Sequence, residues 1–518
     1  MNQYSSQTLL SKYGALSKHL HFIAFSTDLT PTRIFTWIQT RAAILSAVVA
    51  GLALAGCAMV GPDYARVEPD APPQWQTELA GGLSSEKTTP EDLAHWWTTL
   101  GDTDLNHLME CAVTSNLDLK KARSSIREAR ALRGISRAAF FPTLDGDASA
   151  TRYRARERYR GEENELYKAG FDSGWELDIF GGTRRRVEAS QADLEVTWEN
   201  LHDVLVSLLA EVALNYVEVR TYQARLDQTR ANIKSQRESY ELNQSLYEAG
   251  IIDGLAVHQS LYNLERSRSH LSTLNVGLAA AKNRLAVLLG QRPGSLDLSE
   301  TKPIPVLPPT VAVGVPAETL RHRPDIRRAE RNLAARTARV GVATADLYPK
   351  FRLIGSIGLE SVTSEDLLEW SSRTWSIGPA VSWNIFHGGA IRQNIKVQNE
   401  RQEQALIDYE TTVLNALEEV ENILVAYAEE QQRMENLSRG ADAAQNAVLL
   451  SEDQFQAGLV DFSNVLDAQR AQLNFQDELV RSKGAVISNL VRLYKALGGG
   501  WETADRPPAP HLRESQGK

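Results

Sequence analysis

The sequence predicts a mainly α protein with β, built from two copies of one unit, each pairing long coiled-coil helices with two amphipathic strands. Three observations predict it. First, recurring signals hold one offset. Gly250 in LYEAGIIDG and Gly458 in QFQAGLVDF stand 208 positions apart, as do Leu289-Gly290 and Leu497-Gly498. Pro142 of FFPTL and Pro349 of LYPKF stand 207 apart, as do Gly181-Gly182 and Gly388-Gly389. Second, apolar residues step by four and three through long stretches free of proline. Third, other runs alternate apolar with polar. A period near 207 is far longer than a solenoid unit of roughly 20 to 50 residues, so each copy is a domain-sized half.

The chain opens on a segment unlike the rest. Ala42 to Gly56 is an apolar run preceded by Arg33 and Arg41, and it ends in Leu-Ala-Gly before Cys57. A basic stretch, an apolar stretch of this length and small residues at its end make an export signal. A membrane-spanning anchor is the alternative, but about 15 residues fall short of the roughly 20 a span needs. Residues 1–56 are therefore read as signal, with 1–40 longer than an ordinary n-region, which fits a start placed too far upstream. Residues 57–100 are a lipidated N-terminal segment, 101–299 the first repeat, 300–500 the second and 501–518 a tail. Within each repeat the order is a helix, two strands and two long helices.

The strands carry one apolar and one wet face. In FDSGWELDIF, Phe171, Trp175, Leu177 and Ile179 alternate with Asp172, Gly174, Glu176 and Asp178. In the second repeat Trp375, Ile377, Val381, Trp383 and Ile385 alternate with Thr374, Ser376, Gly378, Ser382 and Asn384. Pro379 interrupts that run and removes a ladder donor. Two more strands follow Pro142 and Pro349, since proline is tolerated where a strand opens.

The helices are struts. Leu201, Leu205, Leu208, Val212, Asn215, Val219, Tyr222, Leu226, Thr229 and Ile233 step by four and three, mostly apolar, as in a heptad seam. Leu406, Tyr409, Val413, Ala416, Val420, Ile423 and Tyr427 repeat it. A helix from about Arg184 to Tyr247 would run roughly 96 Å. No compact globule holds such an element.

Four strands of about ten residues, wet on one side, suit a membrane β-barrel with a polar lumen. Four cannot close a barrel, and an open edge in lipid leaves backbone groups unpaired at several kcal/mol each. Several copies of the chain must therefore pool their strands.

Composition excludes other classes. The formal net charge of −9 argues against a nucleic-acid partner, whose binding needs a basic face. Two cysteines build no disulfide framework. Cys111 lies on a helical pattern as a small core residue. A mean hydropathy of −0.32 is too polar for a helical transporter. No GxxxxGK[ST], HExxH or GxSxG occurs, and the ten histidines lack ligand spacing, so no catalytic residue, metal or cofactor is assigned.

The motifs along the chain resemble the outer-membrane efflux factors of the TolC-like family, in particular its NodT-type lipoprotein branch. They are the Leu-Ala-Gly-Cys box, Val60-Gly61-Pro62-Asp63-Tyr64, HWWTTLGDTDLNHLMECAVTSNLDL, GWELDIFGG, RHRPDIRRAE, LYPKF, WNIFHGG and the two Ala-Gly tips. The resemblance implies a homotrimer with a shared 12-strand barrel in the outer membrane and an α-helical barrel crossing the periplasm. It implies partnership with a periplasmic adaptor and an inner-membrane pump, and passive export of small molecules such as drugs or other toxic compounds. A duct for one-step protein secretion is the neighbouring alternative, and a periplasmic structural coiled coil is the rival outside transport.

Residue roles follow in the same terms. Cys57 would carry the acyl anchor in the outer membrane, with Ala58 compatible with that sorting. Ala249, Gly250, Ala457 and Gly458 form helix tips. Glycine suits such a turn by itself, and the resemblance adds contact with the adaptor. By the same resemblance Asp467 matches a carboxylate of a closed periplasmic gate and Asp461 is a nearby candidate, with helix capping and solvated surface as the plainer reading. Val460 stands where related ducts carry a basic residue that locks the gate. Trp175, Leu177, Ile179, Trp375, Ile377, Val381 and Trp383 are the expected lipid-facing strand positions. Arg323, Pro324 and Asp325 read as a helix start.

Overall fold

A computed structural model describes residues 59–86, 89–154 and 163–501. Cys57, Ala58 and the export signal lie outside the described residues. The N-terminal segment holds β1 (Leu83–Ser84), α1 (Pro90–Ala94) and a 3-10 turn (Trp96–Leu100), and the first repeat opens with α2 (Thr103–Ser115) and α3 (Leu117–Ala138). Strands β2 (Thr143–Arg154) and β3 (Glu163–Leu177) follow, then α4 (Gly182–Glu248) and α5 (Gly254–Leu288). The second repeat runs β4 (Val311–Ala312), α6 (Pro316–His322), α7 (Pro324–Ala345), β5 (Lys350–Ser361), β6 (Arg373–Ser382), α8 (Ala390–Gln456) and α9 (Phe462–Ala496).

The three longest helices match in length between the repeats, although α2 has 13 residues and its counterpart α6 has 7. α3 and α7 have 22 residues each, α4 and α8 have 67, and α5 and α9 have 35. At 1.5 Å per residue, α4 and α8 are about 100 Å long. The glycines that open these two helices are Gly181 (φ 80°) and Gly389 (φ 82°), which pair at 208 rather than at the 207 read from the doublets.

The strands form one antiparallel sheet in the order β2-β3-β5-β6. They span 12, 15, 12 and 10 residues, mostly longer than the ten expected. Pro379 does not break the ladder: the register runs unbroken from Lys350 opposite Ser382 to Leu359 opposite Arg373. β6 is an outer strand of the sheet, where proline is tolerated.

The core lies midway along the long helices. Trp96, Leu105, Met109, Tyr216, Leu285 and Leu490 are its buried centre. Trp96 stacks on Tyr494 with ring centroids 5.1 Å apart. Cys111 is only half-buried at its margin, because the inward positions of α2 are taken by Leu105, Leu108, Met109 and Ala112. Arg323 is buried, holds Asp325 at 2.7 Å and Glu419 at 2.8 Å, and donates to the Ala496 carbonyl; Pro324 opens α7.

A buried polar relay ties the first repeat to its middle. The Tyr216 hydroxyl donates to Asp102 at 2.6 Å and accepts from Arg220 Nε at 3.0 Å. Arg220 also holds Asp104 at 2.7 Å, and Lys302 reaches the same carboxylate at 2.8 Å. The Lys302 ammonium keeps the Asp104 carboxyl below its ordinary value, outweighing burial, with Arg220 adding to the effect.

A depressed folded value means that Asp104 stabilises the fold above the unfolded pKa of about 3.9 and stops doing so as pH falls through the folded one. Asp104→Asn removes the charge facing Arg220 and Lys302 while Arg220 keeps Gln223 and the Glu300 carbonyl, so stability at neutral pH should drop by about 1 to 3 kcal/mol. Thermal unfolding should show that gap narrowing in acid; equal midpoints at neutral pH would refute the assignment.

Candidate functional site

The sheet has two chemically distinct faces. Cross-strand registers align Phe171 with Ile357 and Ile357 with Trp375, then Trp175 with Leu353 and Pro379, then Leu177 with Phe351 and Val381. Phe171, Ile357 and Trp375 are 56%, 65% and 76% exposed, so none of the described residues covers this apolar face. The other face carries Asp145 opposite Asp172, Lys168 paired with Glu360 at 3.1 Å, Arg352 near Glu176, and a Ser356–Ser376 hydroxyl contact of 2.8 Å. β2 and β6 each pair on one side only among the described residues.

Five of the seven sequence-read strand positions, Trp175, Leu177, Trp375, Ile377 and Val381, share the apolar face. Ile179 and Trp383 do not belong to strands. β3 stops at Leu177 because the Asp178 carboxylate turns to accept from the Thr183 and Arg184 amides at 2.9 Å, capping α4. Trp383 lies one residue past β6, where its indole donates to the Leu347 carbonyl at 3.0 Å. Trp175 makes the same bond to Phe140 at 2.9 Å. The two tryptophans thus mark the foot of the sheet in both repeats.

The same foot holds the start of the described chain. The Val60 amide donates to the Phe180 carbonyl at 3.2 Å. Arg185, with a side chain only 1% exposed, donates to the Val60 carbonyl at 3.1 Å, the Gly61 carbonyl at 3.3 Å and Asp63 at 2.6 Å. Gly61 (φ 86°) crosses directly over Gly341, and any Cβ on Gly341 would lie 2.8 Å from Arg185. Further along, the Tyr64 hydroxyl donates to Glu330 and is pushed up to about 12 by burial and then by that carboxylate. Sequence reasoning missed this clamp. A glycine inside a helix costs about 1 kcal/mol, so Gly341 was the signal that another backbone passes close by.

At the opposite end, α4 turns into α5 and α8 into α9 through identical caps. Gly250 (φ 74°) donates to the Tyr247 carbonyl and Ile251 to Leu246, each at 2.9 Å. Gly458 (φ 72°) donates to Phe455 and Leu459 to Gln454 at the same distance. These are Schellman caps, with Ala249 and Ala457 at the preceding positions. Ile251 and Leu459 stand exposed beyond them.

Asp461 sits at the N-cap of α9 without a side-chain cap bond. Asp467 is exposed and pairs with Arg470 one turn on at 3.1 Å. Arg470 also donates to the Tyr262 hydroxyl on α5 and lies over that ring. Sequence reasoning did not find Arg470 or Tyr262. They occupy duplicated positions 208 apart, and only packing brings them together.

Comparison with known proteins agrees with this architecture. The sequence pattern of a family described as outer membrane efflux protein matches residues 108–291 and again 315–499. Nodulation protein T of Rhizobium leguminosarum bv. trifolii is 30% identical over 458 residues, covering 87% of this chain and 96% of that protein. The solvent efflux pump outer membrane protein SrpC of Pseudomonas putida is 31% identical over 459 residues, covering 88% and 97%. The solved outer-membrane channel OprN superposes with a TM-score of 0.80 at 34% identity, over 85% of this chain and 99% of that one. CusC superposes at 0.74 with 26% identity, over 85% and 100%.

The tips provide a direct check on their geometry. Gly250→Val or Gly458→Val forces a branched side chain into left-handed backbone, at a cost of roughly 1–2 kcal/mol confined to the turn. Limited proteolysis should cut the variants between the paired helices faster than wild type while thermal stability hardly changes. Equal cutting rates would show that the turn does not need glycine.

Proposed function

The chain belongs to the outer membrane efflux protein family, and from that premise we infer that it is the outer-membrane channel of a three-part export system. A periplasmic adaptor and an inner-membrane pump complete the system. The observation that carries the reading is the bare apolar face of a sheet that has a polar reverse and two unpaired edges. In lipid, those edges must find partners. Three copies joined β6 to β2 give a closed barrel of twelve strands, apolar outside and wet within.

The helices support the same closure. α3 packs on α4, α4 on α7 and α7 on α8, an open row of four. The row leaves Leu132 and Ile135 of α3 exposed at one end and Ile407 and Leu414 of α8 at the other. Joining α8 of one copy to α3 of the next covers both sets and makes a ring of helices that continues the barrel into the periplasm.

Cys57 is the proposed lipid attachment. The support is its place in the Leu-Ala-Gly-Cys box, together with the clamping of Val60 and Gly61 at the foot of the sheet, three residues along. The tips at Ala249-Gly250 and Ala457-Gly458 are the proposed adaptor contacts, supported by the exposed Ile251 and Leu459. Asp467 and Asp461 are the proposed acidic ring near the periplasmic mouth, where three copies would repel anions and favour cations. In this reading the Arg470–Asp467 pair restrains the carboxylate, a role that Val460 cannot take.

The duct catalyses no covalent step and uses no cofactor; the pump chooses the cargo, which is a small toxic molecule. Deleting the gene while the cognate pump is expressed should raise susceptibility to that pump's substrates several-fold, and unchanged susceptibility would overturn the reading. Separately, Cys57→Ser should abolish incorporation of labelled palmitate, and continued labelling would rule out the anchor.

A further inference from the structure

On one side of α7, just below the sheet, a groove of about 480 Å³ opens between α4, α7 and α8. Its charged lining is Arg186 and Asp193 from α4, Arg336, Arg339 and Asp346 from α7, and Arg401 from α8. Both carboxylates are already neutralised. Asp193 binds Arg339 at 2.5 Å, and Asp346 binds Lys350 at 3.0 Å. Among the described residues Arg186, Arg336 and Arg401 have no ion-pair partner, which leaves three uncompensated guanidinium groups facing one space. The fold does not demand them. In the first repeat, Ala129 and Leu132 hold the positions matching Arg336 and Arg339, and in the second, Asn394 matches Arg186.

The side of the wall on which this groove lies follows from the N-terminal segment. That segment meets α7 at Glu330 and Gly341. Arg336 and Arg339 follow Glu330 by six and nine residues, which places them about 240° and 180° around the helix. A segment that leads to a lipid anchor runs on the outer wall, because acyl chains do not reach the bilayer through an aqueous lumen. The arginine side of α7 therefore faces the lumen.

We propose that Arg186, Arg336 and Arg401 form an anion-binding station on the inner wall of the duct, which takes the carboxylate, sulfonate or phosphate of a passing solute. Guanidinium groups suit planar and tetrahedral oxyanions because they donate in a fixed fork. With three copies, nine uncompensated charges would ring the wall beneath the barrel, above the proposed acidic mouth. The proposal rests on the duct reading and on an outward N-terminal segment.

The test records single-channel current through the purified full-length trimer in planar bilayers, with pyrenetetrasulfonate added on the barrel side. Wild type should be blocked, and the block should weaken with salt. The triple variant R186Q/R336Q/R401Q should need about tenfold more polyanion, as expected for losing a charge-assisted contact. R186K/R336K/R401K should fall between the two, because the ammonium keeps the charge and loses the fork. If the glutamine triple fails to assemble, the exposed single variants R186Q and R401Q carry the test, each with a shift of about threefold. An unchanged block in assembled glutamine variants would overturn the proposal while leaving the duct intact. So would arginine-dependent binding to phosphatidylglycerol vesicles without block, which would put the groove against lipid phosphate. A wild-type protein that conducts nothing would sink the duct reading itself.

Discussion

Everything in this architecture answers to the backbone hydrogen bonds at the two outer strands. A sheet of four strands with one bare apolar face belongs in lipid, yet its edges expose donors and acceptors that lipid cannot satisfy. No rearrangement within one chain cures this, because four strands do not close. The proposed trimer is the smallest assembly that pools strands to the number the fold family uses. The open row of helices below inherits the same symmetry, since each helix continues from the foot of a strand.

Duplication supplies most of the scaffold, and the places where it is broken carry the particular features. The two repeats agree to the residue in the lengths of their three longest helices and in the bond from Trp175 or Trp383 to a carbonyl at the foot of the sheet. They differ where the N-terminal segment lies. Arg185 clamps Val60, Gly61 and Asp63, while its duplicate is Gln393. Gly341 is crossed by another backbone, while its duplicate Gly134 has open space beside it. The arginine groove lies on the far side of that same helix. One strand of polypeptide laid along a pseudo-symmetric wall thus makes the repeats unequal where it is clamped.

Much of this was legible in the residues. The constant offset, the heptad steps, the strand alternation and the glycine tips are local or periodic signals, and each follows from 3.6- or 2-residue geometry that does not wait for tertiary contacts. They determined a duplicated α-plus-β chain with long struts and too few strands to close. Strand ends were read less well. Ile179 and Trp383 continue the alternation, but Asp178 leaves the ladder to cap a helix and the Trp383 indole reaches back to Leu347.

Only tertiary structure decided which distant residues meet. Arg185 finds a backbone some 124 positions away, Arg470 finds Tyr262, and Asp104 gathers Arg220 and Lys302. No spacing rule encodes such pairings, because they depend on which faces of several helices turn toward one another once packed. The sequence by itself determined the parts and their period, since those arise from neighbours along the chain. The clamp, the polar relay and the arginine groove were decided by packing, since their partners are neighbours only in space.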